Sequence, residues 1–225
     1  MPSPIGHALA AIAAGCLVAP PRAWVAAVTP DAPRRADGPK LAPLPSGVPA
    51  RWAPAGAFRA RVQALAASVA PLRIPLLVLA AAGLLADVDL VAGVHSGPTH
   101  SLGAAAVLGA IVASGRWPDR RRVALAVFAA YASHVLLDWL SEDTSVPIGV
   151  MALWPFNDAH WHAPFSLFFA TDRRYWLDGF WWRNLQTLAW ELLIFVPAAT
   201  MILKRWLADP GSSPPDRISK PANPA

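Results

Sequence analysis

Two short strings, His95-Ser-Gly-Pro-Thr-His100 and His134-Val-Leu-Leu-Asp138, set imidazoles and a carboxylate at the ends of strongly apolar stretches. An uncompensated ionisable group is costly there. Asp87-Val-Asp89 lies just upstream, so one third of the chain concentrates residue types that bind divalent cations. His134 and Asp138 stand four apart and project from one face of a helix, where both can reach a cation or the carboxylate can orient the imidazole. Asp87 and Asp89 follow Leu84-Leu85-Ala86 and are read as lying just past a helix end, free to wrap both carboxylates round a metal ion. His95 and His100 flank Gly97-Pro98, a turn signal, with Thr99 or Ser96 as the expected cap of the next helix.

The elements that must gather these groups are apolar. The chain has 225 residues, 55% of them hydrophobic and 15% charged, with mean hydropathy +0.39. Five charge-poor segments stand out: Ile5–Ala19, Leu72–Ala86, Leu102–Ala113, Val123–Leu140 and Leu185–Leu203, the last carrying Glu191. The expected fold is all-α, a membrane-embedded bundle of about five helices with a metal site at one end. If the segments alternate across a bilayer, sixteen of the nineteen Lys and Arg fall on one face, leaving Arg173, Arg174 and Arg183 on the other. By the positive-inside rule the Arg-rich loops and the C-terminus are cytoplasmic. Seven of the eleven tryptophans fall on the opposite face, as an interfacial aromatic belt would. On that topology His7, Asp87, Asp89, His100, His134 and Asp138 all reach the periplasmic side of a bacterial inner membrane.

A net charge of +5 and a pI near 10.1 would suit nucleic acid, but this sidedness accounts for them, and no nucleic-acid partner is expected. Cys16 is the single cysteine, which excludes an intramolecular disulfide and thiolate zinc sites of the CxxC type. One membrane-embedded domain is expected over residues 1–207, interrupted by a flexible Pro/Ala-rich loop at 29–60, with a disordered tail at 208–225. Small residues four apart, Ala105 with Gly109 and Ala106 with Ala110, predict close helix approach and a central place for the third segment.

Leu85-Ala-Asp-Val-Asp89, His95-Ser-Gly-Pro-Thr-His-Ser101, Tyr131-Ala-Ser-His-Val-Leu-Leu-Asp138 and Val146-Pro-Ile-Gly-Val-Met-Ala-Leu-Trp-Pro155 resemble successive motifs of the bacterial YdjM-like inner-membrane metal-dependent hydrolases. The likeness runs from about Pro4 to Tyr175. It departs from the family pattern at Ser96, where Arg is usual, and at Ala86 and Leu90, where a proline and a histidine usually flank the DxD pair. More remotely, the order of His, Asp, His, HxxxD and a later His is similar to the all-helical zinc-dependent phospholipase C and single-strand nuclease superfamily. The resemblance implies Asp87 or Asp89, His100, His134 and Asp138 as metal ligands, joined by His7 and His95.

The chemistry that follows is hydrolysis. One to three divalent ions, zinc first among them, would be bridged by a carboxylate such as Asp87 or Asp138 and would ionise a water near neutral pH. A spare carboxylate, Asp89, Asp143 or Asp158, would take the proton, so Asp89 and Asp138 are the expected catalytic carboxylates. The expected substrate is a small-molecule or lipid phosphoester. His160 and His162 sit in a Trp-rich loop read as an interfacial anchor. The competing readings are a non-catalytic membrane protein that binds or transports metal ions, and a metal that staples the bundle.

Overall fold

A computed structural model describes residues 2–19, 73–92, 95–116, 119–144, 146–172 and 174–208. The expected loop at 29–60 and the expected tail past Ala208 lie outside the described residues. Five α-helices are present and no strand among the described residues: α1 (Pro4–Val18), α2 (Arg73–Leu84), α3 (Leu102–Ser114), α4 (Arg120–Trp139) and α5 (Phe180–Ala208). Each covers one of the five apolar segments. Local chemistry sets their starts. Ser3 caps α1, its Oγ accepting from the Gly6 N–H at 3.1 Å ahead of a proline in the first turn. Ser101 caps α3 in the same way, accepting from Ala104 N at 3.0 Å.

The centre of the bundle belongs to α4 and α1. Helix α4 packs against α1, α2 and α3, and α1 packs against α2, α4 and α5. Their shared core is built largely from small side chains: Ala11, Cys16, Ala82, Ala126 and Ala130 surround Leu79 and Val127. Gly83 permits a close approach, since a Cβ there would stand 2.3 Å from that of Ala11. The central place expected for α3 is corrected: its main helix partner among the described residues is α4, met through the buried Ala105 and Gly109, while Ala106 and Ala110 are exposed.

Two helices have the length and composition to cross a bilayer, Arg120–Trp139 with 20 residues and Phe180–Ile202 with 23. At 1.5 Å per residue they run about 30 and 35 Å, against a hydrocarbon thickness of about 30 Å. Helices α1, α2 and α3, with 15, 12 and 13 residues, are short for that distance. The two long helices meet different surroundings. Helix α4 is sunk in the protein, whereas α5 turns Trp181, Trp182, Leu185, Leu193 and Met201 outward. A continuous apolar face of that kind is stable against lipid and costly against water.

Candidate metal centre

At one end of the bundle the start of α1, the end of α2, the start of α3 and the last turns of α4 come together. Seven side chains fill the junction as three overlapping groups that could hold a metal ion: His7, His134 and Asp138; Asp87, His100 and His134; Asp89, His95 and His100. The structure thus brings together every histidine and aspartate singled out above for a metal site. His7, His100, His134 and Asp138 are almost wholly buried, at 1%, 0%, 0% and 3% exposure. Access is from the Asp87 side, whose side chain is 21% exposed.

The imidazoles of His134 and His100 are aimed by contacts on their far nitrogens. His134 Nδ1 lies 2.6 Å from the Gly83 carbonyl oxygen. A carbonyl can only accept, so Nδ1 carries the proton and a neutral ring offers its lone pair at Nε2. That atom stands 3.1 Å from Asp138 Oδ2 and 3.7 Å from Asp87 Oδ1. His100 is held likewise: Nδ1 sits 3.1 Å from Asp89 Oδ2, and Nε2 faces Asp138 Oδ2 at 3.4 Å and Asp87 Oδ1 at 3.7 Å. His7 Nε2 meets the other carboxylate oxygen, Asp138 Oδ1, at 3.3 Å, with its ring stacked on that of His134.

The contacts between the imidazole Nε2 atoms and the carboxylates do not have hydrogen-bond geometry. Asp87 Oδ1, both Asp138 oxygens, His100 Nε2, His134 Nε2 and both His7 nitrogens are buried without a hydrogen-bond partner. Native interiors leave few such groups, and a set of them facing one another needs a common cause. Around a tetrahedral zinc with bonds of about 2.0–2.1 Å, ligand atoms stand about 3.4 Å apart. The spacings from 3.1 to 3.7 Å fit that figure. Charge points the same way. No Arg or Lys pairs with Asp87, Asp89 or Asp138 among the described residues, where the Arg174–Asp172 pair is peripheral. Burial pushes the Asp87 carboxyl up, yet contact with His100 and the neighbouring imidazoles outweighs it and holds the group below the usual carboxylate range.

Several parts of the frame depart from the sequence-based expectation. The DxD pair does not wrap one point. Leu85–Ala92 is a 3-10 helix, in which residues two apart diverge by about 240°, so Asp87 serves the Nε2 side of His100 and Asp89 the Nδ1 side. Neither Thr99 nor Ser96 caps α3. Ser101 does, and Thr99 Oγ1 instead donates to Asp89 Oδ2 at 2.9 Å, fixing the carboxylate that fixes His100. Tyr131 was not singled out for a role; its hydroxyl donates to the Thr99 carbonyl at 2.7 Å and ties the turn to α4. His160, His162, Asp143 and Asp158 join none of the three groups. His162 Nε2 donates to the Ser141 carbonyl at 2.7 Å, and Asp143 Oδ2 accepts from Gly149 N at 2.8 Å, so both brace the loop after α4.

The seating of His7 also depends on a distant partner. Glu191 of α5 is fully buried and accepts from Ser3 N at 2.6 Å and from the Ser3 hydroxyl. It presses on the first turn of α1, where a Cβ on Gly6 would lie 2.6 Å from its Cδ. A carboxylate at a helix N-terminus is favourably placed, and this one fixes the register of the turn that carries His7. The only sequence signal was a lone acid in an apolar segment, which does not name its partner 188 residues away.

Five helices, two of them of bilayer length, packed round buried histidines and aspartates that could hold a metal ion and that pair with no Arg or Lys among the described residues, define a helical bundle with a candidate internal metal site. The family comparison identifies the membrane. The chain belongs to the YdjM inner membrane protein family, which matches residues 54–208, more than half its length. Comparison with curated proteins and with solved structures gives no match. The matched span holds six of the seven gathered residues, and α1, which brings His7, lies ahead of it.

Proposed function

We propose that the chain is a membrane-bound, metal-dependent hydrolase acting on a phosphoester. The observation that carries this reading is the set of buried, unpartnered donor atoms on Asp87, His100, His134 and Asp138, each carboxylate facing both imidazoles at 3.1 to 3.7 Å. Those four residues would hold a divalent cation, zinc by donor type. Asp138 presents Oδ2 to His100 and His134 and Oδ1 to His7, which supports a carboxylate bridge to a second ion on the His7 side. Bound there, a divalent ion lowers the pKa of a coordinated water and polarises a phosphoryl oxygen.

The chain's own residues do the rest. Gly83 O and Asp89 Oδ2 hold the two imidazoles in the tautomer that leaves Nε2 open. Asp89, with Oδ2 on His100 Nδ1 and Oδ1 3.5 Å from His95 Nδ1, stands behind the His100 ring and serves to orient that imidazole. Burial of the other side excludes bulk water. The favoured orientation keeps the Arg-rich loops in the cytoplasm and opens the site to the periplasm. Ligands gathered at one end, rather than strung along a path, favour hydrolysis over ion conduction.

The test is elemental analysis of detergent-purified protein beside His134→Ala and Asp138→Ala, with a bis(p-nitrophenyl) phosphate assay on the same samples. Stoichiometric metal and turnover in the wild type, both lost in the variants, support the proposal. Absence of bound metal at saturating zinc, manganese and cobalt overturns it, and metal without turnover on soluble or lipid phosphoesters leaves a binding or transport protein.

A further inference from the structure

Asp87, the accessible carboxylate of the metal centre, stands among exposed apolar side chains. In the 3-10 helix Leu85–Ala92 residues three apart eclipse one another, so Leu90 lies directly over Asp87 and Val91 over Val88. Leu90, Val88 and Val91 are all exposed, Val91 at 90%. The segment that carries His95 and His100 is bordered in the same way. A turn at 151–156 is tied to it by Met151 N on the Ser96 carbonyl at 3.4 Å and by Leu102 N on the Ala152 carbonyl at 3.0 Å. That turn closes on the start of α3 so tightly that a Cβ on Gly103 would lie 2.2 Å from the Trp154 carbonyl oxygen. At its tip Phe156 is 96% exposed, and Leu102 beside the turn is exposed as well.

Large apolar side chains standing out from a backbone held this closely are disfavoured by water and mark a surface that meets something else. Their level in the molecule says what. Asp138 and Trp139 close the last turn of α4, whose 20 residues run about 30 Å, the thickness of a hydrocarbon core. In an inner membrane protein the end of such a helix lies where acyl chains give way to headgroups. The apolar rim and the buried histidines and aspartates share that level, because the same two segments carry both.

We propose that this rim seats in the headgroup–acyl boundary of the bilayer, and that the phosphoester cleaved is one carried on a lipid, entering beside Leu90 with its chains still in the membrane. Water adds its oxygen to phosphorus, one P–O ester bond breaks, and the departing oxygen takes the proton that the water gives up. The substrate half of the proposal rests on the hydrolysis proposed above; the seating of the rim does not.

Nitroxide labels on Val91→Cys, Phe156→Cys and Arg121→Cys, each combined with Cys16→Ala, test the seating in phosphatidylcholine nanodiscs by power-saturation spectroscopy with oxygen and a water-soluble nickel chelate. Arg121 is exposed in the first turn of α4, at the other end of that helix. Oxygen should relax the labels at Val91 and Phe156 more strongly than the chelate does, with the reverse at Arg121. Chelate access at the two rim positions equal to that at Arg121 means that they face water, and low access to both reagents means that protein covers them; either result overturns the proposal. The substrate is tested on zinc-loaded protein with dioleoylphosphatidyl-p-nitrophenol and methyl p-nitrophenyl phosphate, with metal content measured on the same samples. The lipid compound should turn over faster, and the ratio of the two rates should fall about tenfold when Val91→Ser and Phe156→Ser are combined. A ratio unchanged by that double substitution overturns the lipid assignment. Lipid-facing labels in a protein that cleaves neither compound overturn the hydrolysis and leave the seating in place.

Discussion

Without a metal ion the centre asks a buried Asp138 to face three imidazoles with no lysine or arginine among the described residues to balance it. Metal and Asp138 should therefore be linked in stability with a particular sign. Zinc at a hundredfold its dissociation constant stabilises the folded protein by about 2.7 kcal/mol. In a chain of this size each kcal/mol moves the melting temperature by about 2–4 °C, so the wild type should gain about 5–11 °C on addition of zinc. Asp138→Asn removes the oxygen that faces both His100 and His134 and should abolish most of that gain. In chelator the same variant should melt at or above the wild type, because the buried charge is gone. A purely structural Asp–His ion pair predicts the reverse, since breaking a buried pair costs about 3–5 kcal/mol. The assay is thermal unfolding in detergent, with zinc and with chelator, on the two proteins. A fall of many degrees for Asp138→Asn in chelator, or a wild type indifferent to zinc, refutes the argument.

Asp89→Asn keeps an acceptor for Thr99 but loses the charge behind His100, so zinc affinity should weaken about 10–100-fold in competition with a fluorescent chelator, the usual cost of an outer partner to a ligating histidine. Glu191→Ala should destabilise by about 1–3 kcal/mol by stranding the Ser3 donors, with metal content reduced on the His7 side, and Glu191→Gln should restore most of both; unchanged metal content in the alanine variant would show that α1 is seated without it. Gly83→Ala forces its new methyl to within 2.3 Å of Ala11 Cβ and 3.1 Å of the His7 carbonyl, so a cost of about 1–3 kcal/mol or more is expected in thermal unfolding together with loss of metal. A phosphatase reporter fused after Leu203 should be silent and a cytoplasmic fluorescent reporter bright; the opposite pattern would reverse the orientation drawn from the Lys and Arg distribution.

The helices were legible because an apolar run between polar breaks is a local signal. Ile5–Ala19 became Pro4–Val18, and Leu102–Ala113 became Leu102–Ser114, each with a serine cap at its start. The gathering of His134 with Asp138 was legible because a four-residue spacing fixes a shared helix face before any tertiary contact forms. Features that depend on register between elements were not. Gly83 serves the centre through a carbonyl oxygen, which every residue has, and its special property is a missing side chain where α1 comes close. Thr99 and Ser101 are chemically interchangeable as caps, and the position of Asp89 decided between them. The split of Asp87 from Asp89 followed from a change of helix type that the composition of Leu85–Ala92 does not announce.

Helix α1 is where these lines meet. It lies ahead of the residues that match the family, yet it packs on α2, α4 and α5 and supplies the histidine that faces the second oxygen of Asp138. Its small residues let Gly83 come close enough to serve His134, and its first turn is clamped by Glu191. A shift of one residue in α1 would rotate His7 by about 100° and withdraw it from Asp138. The contacts of Gly6 with Glu191 and of Ala11 with Gly83 oppose such a slip from opposite faces of the helix. The bundle thus places close packing on both sides of the element whose register brings His7 to the metal centre.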